Sequence, residues 1–186
     1  MTSFSGCDRY ILVEIFDLKS NSVLDYWNTI IDSGLIRSRF PEMENPTIKN
    51  VEQMIKNPNS KVFLSFDPVL ERFCGEVTLD GFQGLTACVH LSIHPEYFGR
   101  KAVDIGKDGA QQLFRLQNKE GINLKALLGL TPENNKLALR FIKRVGFKIM
   151  TILSGSFIMP DESRTQINGV VSQLTRSGLY GNPDNW

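Results

Sequence analysis

From Ile93 to Lys107 the chain reads IHPEYFGRKAVDIGK, and this run narrows what it can fold into more than any other. An apolar, strand-like stretch ends at His94-Pro95, the chain turns about Gly99, and a helical pattern opens with Arg100 and Lys101. A strand handed over to a helix in so few residues leaves the helix's first N–H groups unbonded at the end of a sheet. Those groups and the positive end of the helix dipole attract a phosphate. The glycines that usually let a phosphate approach such a turn are mostly missing here, so the segment predicts a phosphate cradle of altered form.

The remaining elements must supply the sheet. At 186 residues and 41% hydrophobic content, the chain can bury one substantial core, which predicts a single domain over residues 1–186. Its 21 Lys and Arg against 20 Asp and Glu give a net charge of +1, so no global field draws it to nucleic acid or to an anionic membrane. Cys7, Cys74 and Cys88 are far apart and form no C-x-x-C pair. They read as free thiols of a reducing compartment, with no metal site. No apolar run approaches the length of a membrane span and the start lacks a signal-peptide pattern, so a cytoplasmic protein is expected.

Along the chain, RYILVEIFDL predicts a first strand, and SVLDYWNTIIDSGLI a helix with Ser22 as N-cap and Gly34 near its end. A proline-bearing loop precedes a shorter helix at VEQMIKN. KVFLSFDP, RFCGEVTLDGF and LTACVHLSIHP follow as three strands parted by tight turn signals, which favours an antiparallel meander. Ala102, Gly106, Ala110 and Phe114 then recur at steps of four, predicting a helix from Arg100 to about Glu120. LKALLGL predicts a fifth strand. In the next segment Thr131 reads as a helix cap, Pro132 as the first helical residue and Gly146 as the left-handed stop. KIMTILSGSFIM and GVVSQLTR give two more strands, and residues 176–186 read as a loose tail. The fold class is therefore α+β, a mixed but mostly antiparallel central sheet with helices on both faces.

Two stretches and this order of elements resemble one family, the GCN5-related N-acetyltransferases. SIHPEYFGR is similar to that family's strand, His-Pro, loop and helix unit, and NKLALRFIKRVGF to its N-x-x-A helix ending in Gly-Phe. The resemblance covers Tyr10 to Arg176 and is closest to the ribosomal-protein acetylase branch and to small phage-encoded relatives. It implies the acyl-CoA N-acyltransferase fold and acetyl-coenzyme A as cofactor. Leu91, Ser92 and Ile93 would pair with the pantetheine arm as an added strand. Phe98, Gly99, Arg100, Lys101, Ala102 and Val103 would hold the pyrophosphate, and Asn135 would contact the cofactor arm.

The departures are specific. The family writes Arg or Gln, two residues, Gly, one residue, then Gly or Ala across the loop, whereas Lys101 stands here where glycine allows close approach. Its side chain either crowds the pyrophosphate or adds a charge to it. Ile142 occupies the position of the family's tyrosine general acid. Family carboxylates often sit where this chain has Thr86 or Ala87, so the candidate bases are His90, which shares a strand face with Cys88 and Ser92, and Glu76 on the preceding strand. Cys88 and His90 stand too far apart along a strand for a direct hydrogen bond in most rotamers. Leu137, Phe141 and Val145 read as a core stripe, and Tyr26, Trp27 and Phe40 either as core or as the lining of an acceptor groove.

Two functions fit these residues. One is acetyl transfer from acetyl-coenzyme A to an amine of a small molecule or protein. The other is a non-enzymatic binding or assembly role on the same scaffold, phage-encoded and serving the head or virion, with a vestigial cleft and no cofactor. The acceptor, the protein partner and the oligomeric state are not legible.

Overall fold

The computed structural model describes residues 9–15, 22–36, 40, 43–117, 123–158 and 165–180. Cys7 and the chain beyond Tyr180 fall outside them. The elements are β1 (Ile11–Glu14), α1 (Ser22–Asp32), α2 (Ile48–Lys56), β2 (Lys61–Asp67), β3 (Arg72–Gln83), β4 (Thr86–Ile93), a 3-10 turn (Pro95–Tyr97), α3 (Arg100–Leu113), β5 (Ala126–Pro132), α4 (Lys136–Val145), β6 (Lys148–Ile158), β7 (Gln166–Thr175) and α5 (Arg176–Tyr180).

All seven strands join one sheet in the order β1-β2-β3-β4-β5-β7-β6. The expected meander is present, since β2, β3 and β4 pair antiparallel in sequence order. Only β4 and β5 run parallel. Alternation along β2 sends Val62 and Leu64 to one face, against Tyr26 and Ile30 of α1 and Val51 and Ile55 of α2. Phe63, Val77, Leu79 and Val89 point the other way, onto Ala110 and Leu113 of α3 and Ile142 and Val145 of α4. Helices therefore cover both faces, as the sequence predicts. Tyr26 is 1% exposed and Phe40 9%, so they belong to the core rather than to a groove. No helix of the described residues is long and apolar enough to cross a membrane.

Local chemistry sets the ends of the helices. Gly34 takes φ +68° after α1, and the Thr47 N–H donates to Asn50 Oδ1 at 2.8 Å at the start of α2. Gly146 ends α4 at φ +116°, its N–H reaching the carbonyls of Ile142 and Lys143.

Three expectations are corrected. Thr131 and Pro132 do not begin α4 but close β5, opposite Val170 and Gly169 of β7. Strand pairing outcompetes the local helix signal, and the cap falls to Asn135, whose Oδ1 accepts the Ala138 N–H at 3.0 Å. Helix α3 stops at Leu113, not near Glu120, with Phe114 as its buried C-cap. Nor is the chain loose from Arg176: α5 follows β7 directly, and Leu179 packs on the main core.

Candidate functional site

Strands β4 and β5 meet at only three positions, Thr86 with Ala126, Ala87 with Leu127 and Cys88 with Leu128. Beyond these β4 runs on to Ile93 and β5 to Pro132, but the two part. On its far side β5 stays paired with β7 over its whole length, so the opening faces β4 alone. A cleft of about 330 Å³ occupies the opening.

One wall of the cleft is Leu91, Ser92 and Ile93 of β4 followed by Phe98, Gly99, Ala102 and Val103. Gly99 caps α3 with φ +89° and ψ −133°, a conformation only glycine adopts easily, and open space lies where its Cβ would stand. No side chain caps α3, which leaves its first amides without a side-chain partner at the end of the helix that lines the cleft. Asn135, Leu137, Ala138, Arg140, Phe141 and Arg144 of the α4 region and Leu35 complete the lining. No carboxylate is among the lining residues.

Eight of the ten cofactor positions expected from the sequence therefore converge on one cleft; Arg100 and Lys101 do not line it. The Lys101 ammonium lies 5.7 Å from the ring centre of Tyr97, a cation–π contact that turns it along the protein surface. So Lys101 does not crowd the site from inside.

Sequence reasoning missed Leu137, Phe141, Arg140 and Arg144 as site residues. Leu137 is 60% exposed, which corrects its assignment to a core stripe; of that stripe only Val145 is buried. The available signal was the i, i+3, i+4, i+7 series Leu137, Arg140, Phe141, Arg144, one helix face that mixes apolar and cationic groups. Ile142 is buried in the core.

The two candidate bases fare differently. His90 stands outside the lining, on the exposed part of β4, with Nε2 3.0 Å from Asp80 Oδ2. Glu76 is 2% exposed and sits directly across the β3–β4 ladder from Ser92, so it lies on the same sheet face one strand behind the cleft wall. Burial pushes its carboxyl up to about 8. Both described thiols are also raised, Cys74 to about 11 by burial and Cys88 by burial and the Asp80 carboxylate, which disfavours thiolate chemistry. His94 is a turn residue, its Nδ1 accepting the Glu96 N–H at 3.3 Å.

No protein-family model matches the chain, and no curated protein matches it. Solved structures do. A spermidine N-acetyltransferase from Vibrio cholerae, in complex with CoA and spermine, superposes with a TM-score of 0.72 at 16% identity, over 93% of this chain and 99% of the other. The fold is that of the acyl-CoA N-acyltransferases. A ribosomal-protein alanine acetyltransferase from Vibrio fischeri shares this acyltransferase fold with a TM-score of 0.65 at 13% identity, over 97% of each chain. An acetyltransferase from Salmonella typhimurium that modifies the N-terminal serine of a 50S ribosomal subunit protein gives 0.69 at 11% identity, over 90% of this chain and 95% of that one. The parted strands and the α3 N-terminus thus belong to a chain that superposes on the N-acyltransferase fold over 93% of its length.

Proposed function

We propose that this protein transfers an acetyl group from acetyl-coenzyme A to an amine. The observation that carries the reading is the parting of β4 and β5 beside the uncapped N-terminus of α3. The unpaired edge from Leu91 to Ile93 offers backbone groups to an extended arm, and the amides from Gly99 to Ala102 offer donors to a pyrophosphate, with Val103 in the wall beside them. Apolar Leu35, Phe98, Leu137 and Phe141 shield that arm from water, while Asn135 holds the near end of α4 in place. These residues fit the cofactor, which when bound supplies the activated acetyl thioester.

The chain's own contribution is chiefly positioning. Glu76, behind Ser92, serves as the proton acceptor for the amine, while His90 stays paired with Asp80 outside the cleft lining. With the Glu76 carboxyl raised to about 8, turnover rises with pH through that value as the acceptor form accumulates. The neighbours named for spermidine and for ribosomal-protein acceptors support an amine as the acceptor class.

The test is direct. Millimolar acetyl-coenzyme A raises the melting temperature, and with a panel of amines and peptide N-termini free thiol is released. An unchanged melting temperature would favour the other reading, a binding or assembly protein on this scaffold whose cleft is vestigial.

A further inference from the structure

Helix α4 reads KLALRFIKRV, with four cations and no acid in ten residues. Arg140 and Arg144 are one turn apart, which puts them side by side on one face, roughly 5–6 Å between Cβ atoms. That face lines the cleft together with Gly99, Ala102 and Val103. The cations that the loop itself carries are placed elsewhere: neither Arg100 nor Lys101 lines the cleft, and Lys101 is drawn over Tyr97. Two sources of positive charge therefore border the same cleft, the N-terminal end of α3 and the Arg140 and Arg144 side chains of α4.

Resting on the acetyl-coenzyme A reading above, the geometry points to a division of labour between these walls. We propose that the α3 amides take the pyrophosphate and that Arg140 and Arg144 form the pocket for the 3′-phosphate of the nucleotide. On this reading charge is recognised by the side chains of α4 and not by those of the loop. A phosphate monoester is close to a dianion at neutral pH and offers three acceptor oxygens, which suits two forked, permanently charged donors better than one mobile lysine. The protein would accordingly select coenzyme A over 3′-dephospho-coenzyme A, a discrimination that the α3 amides alone do not provide.

The experiment is isothermal titration of the full chain with coenzyme A, 3′-dephospho-coenzyme A and pantetheine, for the natural protein, R140A, R144A, the double variant and K101A. Both arginines are exposed, so the variants should keep their fold, which circular dichroism melts will verify. The natural protein is expected to prefer coenzyme A to the dephospho form by about ten-fold or more, and the double variant to lose that preference while binding the dephospho form within about two-fold of the natural protein. K101A leaves the preference intact. A double variant that still discriminates, or a preference lost in K101A, would overturn the assignment while leaving the cofactor reading in place. A natural protein that binds none of the three ligands would overturn both.

Discussion

Gly99 and Glu76 carry the strongest single-residue consequences. Gly99 combines φ +89° with open space at its Cβ position, so an alanine there meets no neighbour and suffers only from its backbone conformation. Gly99→Ala is expected to cost about 1–3 kcal/mol and to weaken cofactor binding by displacing the α3 amides, measurable by urea denaturation and titration calorimetry. For Glu76 the sign follows from burial. Its carboxyl rises from an ordinary 4.5 to about 8, so the folded chain keeps a proton that the unfolded chain has already released. The stability this proton contributes is full below the unfolded value and is lost as pH rises through about 8. Relative to Glu76→Gln, the natural protein should therefore lose up to about 1.4 kcal/mol per pH unit across that interval. Equal pH slopes for the two proteins would contradict the burial argument. The need for glycine after Tyr97-Phe98 was readable from the turn, whereas the direction of Lys101 was not, because a flexible exposed side chain goes where a neighbouring ring attracts it.

At the scale of elements, α3 and α4 approach closely because Gly106 has no side chain. A Cβ there would stand 2.7 Å from Val145 Cγ2 and 2.8 Å from Phe141 Cζ. Val145 is fixed in the core, but Phe141 is a cleft wall and can yield into the opening. Gly106→Ala should thus lower stability by about 1–3 kcal/mol and also reduce coenzyme A affinity, a coupling that calorimetry on the folded variant will detect. The helical period placed Gly106 on the packing face, but only the assembled structure shows that it meets a helix and not the sheet. The same limit explains the corrected ends. Thr131-Pro132 has every local mark of a helix start, yet β7 offers those residues a strand partner, and long-range pairing outweighs a local cap. Leu137 shares its period with Val145, but the stripe runs out of the core at the cleft, where burial no longer follows periodicity.

For the molecule as a whole, the opening between β4 and β5 ties ligand binding to global stability. A ligand selective for the folded chain stabilises it by about 2.7 kcal/mol at a hundred times its dissociation constant, or roughly 5–10 °C in melting temperature for a domain of this size. That shift should fall in the Arg140/Arg144 double variant and persist in Lys101→Ala. By itself the sequence determined the elements, the antiparallel meander and the helices on both faces, because strand and helix periods, capping residues and turn glycines act over short spans of chain; the expected cofactor positions came from the family resemblance and not from those local patterns. Only the tertiary structure decided that β7 enters between β5 and β6, that β4 and β5 separate after three pairs, and which cations face the cleft. Those outcomes depend on contacts between segments far apart in the chain, and no local pattern of residues specifies which distant surface a strand edge or an arginine will meet.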